Sequence, residues 1–351
     1  MDKRVFAAGG LTLTAMFALS GCFGGSSSSN GGGDGGQSGG GGGDTISSSL
    51  SSEEQALAAG IGISAAAGEA DGVADGVGDM VPAEDLEPAP GGLAAAQTIS
   101  CESGGPIQID SEATVSSSDA PFPSVYYGEP PMQGNGATLQ ADNCSMEGVR
   151  IDGQYELFEF GDLDAGQGAM YARFGGTSAG DANIAQPMVM DGGLVDMRMQ
   201  GYMSMCYSCV DGHLGTIGIG STVNDATMVA LFSMEMPDMR LQMGRMDGLA
   251  PLMVIATAAA GGGASVSVDG RQAFEDETCA FDVTMHTVDG EDLLVRDWGG
   301  DAQDIESGKM EVTANDSGQS HVVEWINGEP YVDGEPPAPE AMEAIAGCGD
   351  S

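Results

Sequence analysis

Apolar and polar residues alternate along much of the chain from about Ile99 onward. The clearest run is Gly193 to Tyr207. There Met197, Met199, Gly201, Met203 and Met205 share one parity, while Asp196, Arg198, Gln200, Tyr202 and Ser204 share the other. A period of two with one apolar side is the pattern of a strand buried on one face. Met239, Leu241 and Met243, then Phe281, Val283 and Met285, then Met310, Val312 and Ala314 repeat it against polar neighbours. Between the runs stand Asp152-Gly153, Asp211-Gly212, Asp247-Gly248, Asp269-Gly270, Asp289-Gly290, Asn327-Gly328 and Asp333-Gly334. Such pairs favour tight hairpin turns, whose central positions need positive φ. Helical spacing able to cover parallel crossovers is missing, which excludes doubly wound α/β folds. The expected fold is mainly β, a large antiparallel meandering sheet over residues 98–335, with 336–351 as a C-terminal tail. Alternation alone allows either a curved sheet or a sandwich.

The period changes upstream. Ser52 to Val81 predicts one amphipathic helix: Ser52 can cap it, Glu53 and Glu54 favour the dipole, and Leu57, Ile61, Ala65 and Gly68 form a stripe. Its glycines weaken it, so it needs a surface to lie on, and the concave face of a curved sheet would provide one. Residues 82–97, with three prolines and two glycines in Pro82 to Gly92, read as a linker. Before the helix, 22–51 is dominated by Gly and Ser. Such a stretch cannot bury enough apolar surface to offset its ordering entropy, and it is expected to be a disordered tether.

Charge narrows the functions. Against 53 acidic residues stand 10 basic ones, a formal net charge of −43. That field repels phosphate backbones, so nucleic acid is not an expected partner. Apart from Lys3 the chain has a single lysine, Lys309. Asp71, Asp75 and Asp79 recur every four residues but lack the spacing of an EF-hand loop. A solvated acidic surface explains them better than a divalent-cation site.

Residues 1–21 read as a signal peptide: Lys3 and Arg4 precede an apolar stretch from Val5 to Leu19 that is too short to span a membrane. The stretch ends in Leu19-Ser20-Gly21-Cys22, which resembles the lipobox of bacterial lipoproteins. The resemblance implies that Cys22 becomes the first mature residue and carries diacylglycerol and a further acyl chain such as palmitate. Phe23 replaces the aspartate that marks inner-membrane retention, so it further implies the outer membrane, reached through the lipid anchor. The mature body itself resembles no domain family.

Removing Cys22 leaves Cys101, Cys144, Cys206, Cys209, Cys279 and Cys348. An even number in an oxidising compartment predicts three disulfides. A short similarity between the segments opening at Cys101 and Cys209, and between those around Cys144 and Cys279, implies Cys101–Cys144 and Cys209–Cys279. Cys206 is then left for Cys348, and a local Cys206–Cys209 bridge is the alternative. Methionine is the other unusual component, at 22 residues, many paired as Met188/Met190, Met197/Met199, Met203/Met205 and Met234/Met236. Core filling explains these, an apolar groove is a second reading, and Cu(I) coordination by Met197, Met199, Met203, Met205 and His213 a third. No nucleophile elbow, zinc-protease helix or phosphate loop is present. His286 beside Asp282 is the one candidate acid–base pair. The expected function is therefore a non-catalytic structural or binding role at the cell envelope, with no cofactor and a possible envelope-protein partner. The alternative is a periplasmic carrier of an apolar ligand or Cu(I) using the Met-rich strands.

Overall fold

In a computed structural model the described residues are 46–69, 96–116, 133–146, 148–162, 167–175, 187–192, 196–207, 226–259, 263–296 and 304–346. They form α1 (Ser52–Glu69), β1 (Ala96–Ile99), β2 (Ile107–Ser116), β3 (Gln133–Met146), β4 (Val149–Asp162), β5 (Gln167–Phe174), β6 (Met188–Asp191), β7 (Met197–Tyr207) and β8 (Ala226–Met236). There follow β9 (Met239–Met243), β10 (Leu252–Ala258), β11 (Ala264–Asp276), β12 (Ala280–Thr287), β13 (Leu293–Arg296), β14 (Asp304–Ala314), β15 (Ser320–Ile326), β16 (Glu329–Val332) and α2 (Pro339–Ala346). All 16 strands belong to one sheet, in the order β1-β2-β3-β4-β5-β7-β8-β10-β11-β12-β14-β15-β16. Every pairing is antiparallel. The mainly β meander is thus one sheet rather than a sandwich.

Three short strands sit beside that path because their neighbours bend. β6 shares a column with β5, β9 with β10 and β13 with β12. Along β4, Arg150 to Asp152 pair with β6, whereas Tyr155 onward pair with β5. Gly153 lies at the switch with φ 109°, and a Cβ there would stand 2.9 Å from the Met188 Cα. Gly270 does the same in β11, between β10 and β9, with φ 135° and the Leu252 Cα 2.7 Å from its would-be Cβ. Two Asp-Gly pairs expected as hairpin turns are therefore interior bends of long strands, where glycine is needed for close backbone approach. Asp247-Gly248, Asp289-Gly290, Asn327-Gly328 and Asp333-Gly334 are turns. Asp211-Gly212 lies outside the described residues.

The inner face of the sheet carries both helices and the main core, from Leu157 and Phe174 through Phe232 and Phe274 to Val323 and Trp325. α1 packs on β12, β14, β15 and β16, and α2 packs on α1. The expectation that the other face is solvated fails over β4 to β8. There Phe158, Phe160, Tyr171, Cys206 and Val229 form a second buried cluster with Ala113, Val115 and Met253 against it.

Over its first half α1 is enclosed rather than amphipathic: Gln55, Ala56, Leu57, Ala58 and Ala59 are buried in succession. A helix apolar all round belongs inside a core, and small side chains permit it. Gly60 lies against Trp325, where a Cβ would stand 2.8 Å from the ring. The cap is Ser51 rather than Ser52. Glu54 N–H donates to Ser51 Oγ at 3.3 Å and Ser51 N–H to Glu54 Oε2 at 2.7 Å, a reciprocal capping box. Residues 70–81 of the expected helix lie outside the described residues. The expected tail contains α2, whose Ala341 and Ile345 join the main core.

Candidate functional site

The chain comes to α1 over one end of the sheet. Ile46 packs with Ala273 and Ala280. Ser48 Oγ donates to the Ala280 carbonyl at 2.6 Å, and Ala280 N–H donates to Ser49 Oγ at 3.1 Å. Gln55 then accepts the Asp282 N–H at 3.2 Å, satisfying a strand group beyond the end of β14. Strand parity places Ala273, Ala280 and Asp282 on the outer face and Phe274 and Phe281 on the inner one, so the segment wraps from outside to inside.

That rim also holds a buried ion pair. Asp282 is fully buried and receives Arg271 Nε and Nη2, each at 2.7 Å, and Asn315 Nδ2 at 2.7 Å. The remaining guanidinium arm donates to Gln242 Oε1 at 3.0 Å. His286 is consequently not beside an available Asp282. Its partner is Asp269, at 3.2 Å and exposed.

A Ser–His–Asp chain closes the same rim. His321 Nδ1 lies 2.8 Å from Asp333 Oδ2 and Nε2 lies 2.9 Å from Ser52 Oγ. The Ser52 hydroxyl donates to Gln319 Oε1 at 2.7 Å, so its proton is directed away from the imidazole. Val322 N–H, and then His321, hold the Asp333 carboxyl below the usual carboxylate range. The chain fastens the first turn of α1 to β15 and the turn after β16.

The methionines are brought together more closely than their pairs in the sequence imply. Met188, Met199 and Met234 face one another across β6, β7 and β8. One step nearer the rim, Met190 faces Met197, and Met236 faces Met239. The Arg198–Glu235 pairing continues to place Met197 beside Met236. Two adjacent cross-strand rows result, with side chains at neighbouring positions about 4.5–5.5 Å apart at Cβ. Met188, Met197, Met199 and Met234 are buried in the main core, whereas Met190, Met236 and Met239 are only half-buried against it. Of the other proposed ligands, Met203 is buried in the main core, Met205 pairs with Met170 and Met228, and His213 lies outside the described residues. The rows were missed because strand pairing is not visible along the chain. The Met-Pro-Asp-Met hairpin at 236–239 is the signal that could have placed half of the outer row.

Cys101 and Cys144 are bonded, with Cα atoms 5.5 Å apart, as the sequence similarity implies. Cys206 and Cys279 are also disulfide-bonded, the first in the outer cluster and the second in the inner core. Cys22, Cys209, Cys348, Asp71, Asp75 and Asp79 lie outside the described residues. Sequence reading also missed Glu156, buried on β4 opposite Arg173 of β5. Burial pushes its carboxyl up, and the Arg173 charge opposes the shift. Among the described residues no three His, Cys, Asp or Glu side chains converge to hold a metal ion. No helix among them is long and apolar enough to cross a membrane. No protein-family model, curated protein or solved structure matches the chain.

Proposed function

We propose that this chain is an outer-membrane lipoprotein, anchored through acyl chains on Cys22, with a non-catalytic structural or binding role at the cell envelope. The observation that carries the reading is Leu19-Ser20-Gly21-Cys22 following a basic start and an apolar run. The architecture is compatible with it. The first described residue is Ile46, so 23 residues separate the cysteine from the packed body. A heavily acidic surface keeps such a body soluble and repels it from anionic headgroups, leaving the acyl chains as the attachment. Catalysis is the reading the polar geometry favours least. The Ser52 proton goes to Gln319, and the buried carboxylate Asp282 is saturated by Arg271 and Asn315.

Radiolabelled palmitate incorporation in a lipoprotein-processing host tests the anchor. Wild type takes up label, and Cys22→Ser takes up none and is released into the soluble fraction. Label persisting in Cys22→Ser overturns the reading. A fluorophosphonate probe tests the non-catalytic part. Absence of an adduct on Ser52 is expected, and a Ser52 adduct lost in His321→Ala refutes it.

A further inference from the structure

We propose that the outer methionine row, Met190, Met197, Met236 and Met239, is a thioether site for a soft monovalent cation, Cu(I) or its surrogate Ag(I). Four strands contribute one sulfur each at consecutive positions across the sheet. Thioethers select soft cations over Zn²⁺, Ca²⁺ or Mg²⁺. Methionine has three flexible torsions, so sulfurs at neighbouring cross-strand positions can turn toward a shared ion.

The inner row is a poor site for the same ion. Met199 and Met234 are almost completely buried among apolar groups, and an unpaired cation there would lose its hydration without compensation. The outer row lies at the boundary, where Met190, Met236 and Met239 keep partial contact with water. Core filling accounts for the inner methionines but not for three half-exposed ones in line. Asp191 at the end of β6 is offset by Arg150, but two acidic groups border the row: Asp196 precedes β7, and Asp238 sits in the turn joining Met236 to Met239. Their charge attracts a cation without coordinating it. Two of the nearby arginines are paired, Arg150 with Asp191 and Arg240 with Glu235 and Glu275. The third, Arg198, is the register partner of Glu235 and lies on the sheet face opposite Met197. Binding is simple coordination. The metal enters and leaves as the monovalent ion and no electron is transferred.

The test is a titration of the full-length protein, methyl-labelled at methionine, with Ag(I) and then with Cu(I) under a competing chelator. One bound ion is expected on neighbouring sulfurs, centred on Met197 and Met236, because Met190 and Met239 lie about 13–16 Å apart at Cβ and cannot both reach it. The methyl resonances of Met197 and Met236 should shift most and that of Met199 stay in place. Because thioethers do not protonate, the shifts persist at pH 5, where a histidine site would weaken. The triple variant Met190→Leu, Met236→Leu, Met239→Leu conserves volume, and its affinity should fall at least tenfold. Met199→Leu should leave affinity unchanged. The proposal is overturned if no outer-row methyl shifts, or if the folded triple variant binds as wild type does. The site is independent of lipidation. Cys22→Ser protein binds equally, so failure of the anchor and failure of the site are separate results.

Discussion

The Asp282–Arg271 pair allows a quantitative test of how the rim is held. Asp282 has no exposure and three donors on its carboxylate at 2.7 Å, two of them from Arg271. Asp282→Asn keeps the shape but removes the charge and turns an amide N–H₂ toward a guanidinium that cannot deprotonate. Arg271 is itself nearly buried and retains one neutral acceptor, Gln242. Breaking one side of such a pair costs about 3–5 kcal/mol, because the surviving charge is left without compensation. For a body of this size that corresponds to a fall of roughly 6–20 °C in the thermal midpoint.

Urea unfolding of wild type and variant gives the difference, and the variant's deficit should be largely insensitive to salt. Salt screens exposed charges within a Debye length of about 8–10 Å, whereas a buried pair is screened much less. The double replacement Arg271→Met, Asp282→Leu should cost less than Asp282→Asn alone, since it leaves no orphaned charge. A cost under about 1 kcal/mol for Asp282→Asn, or a double variant worse than the single, would refute this account of the rim.

Other consequences follow from the same rim and the sheet next to it. Cys101→Ser with Cys144→Ser opens a loop of 43 residues; the chain-entropy model puts the loss at about 4 kcal/mol as an upper estimate, measurable as a lower thermal midpoint that molar salt partly restores. Asp333 has a folded-state pKa below its unfolded value, so its contribution is present above the unfolded pKa and is lost as pH falls through the folded one. Asp333→Asn should thus lower the midpoint at pH 7 by an amount worth under about 1 kcal/mol and leave it unchanged in acid. Glu156 has the opposite sign. With its pKa raised above 4.5 by burial, ionisation weakens the fold as pH climbs past the unfolded value. Glu156→Gln should therefore stabilise at pH 7 and be neutral below pH 4, and equal midpoints at pH 7 would contradict the shift. Peptide mapping without reductant should find Cys279 joined to Cys348 and Cys206 to Cys209, because α2 ends in the inner core that contains Cys279, whereas Cys206 lies in the outer cluster. A Cys206–Cys348 peptide would reject that pairing.

Much of the sheet was legible because burial on one face writes itself along a strand. Met197, Met199 and Met203 point inward as their parity predicts, and β9, β12 and β14 occupy the expected runs. What failed was information that depends on pairing. Asp152-Gly153 and Asp269-Gly270 look like turns because the same positive φ serves a hairpin and a mid-strand bend, and only the neighbouring strands distinguish them. The cap moved by one residue because Ser51 and Ser52 are chemically equal, and the reach of Glu54 chose between them. Glu156 did not stand out, although Phe158 and Phe160 share its parity in β4 and mark that outer face as buried. A lone carboxylate beside them gives no sign of its Arg173 partner until β4 and β5 are paired. The two methionine rows are the same lesson applied to the site: each Met-x-Met pair is visible, but their convergence is a property of register.

If the chain is anchored as proposed, the rim would link the anchor to the proposed thioether site. Ile46, where the described chain begins, packs beside Ala280 at the start of β12. The β11–β12 turn there is stitched by Asp276 Oδ1 to the N–H groups of Thr278 and Cys279, each at 2.7 Å. Asp276 is also the register partner of Met239. The outer methionine row therefore ends on the same edge of the sheet at which the N-terminal segment joins it. With the lipid on Cys22, the 24 steps to Ile46 would span about 24–29 Å if that segment behaves as the coil its composition predicts. A body tethered from one edge by so short a coil carries that edge toward the bilayer more often than the opposite one, which places the thioether row near the membrane. Lengthening the tether by twenty Gly/Ser residues should then leave Ag(I) affinity unchanged while reducing membrane protection of Met236 and Met239 from oxidation by hydrogen peroxide. Equal protection in both proteins would show that the anchor does not orient this rim.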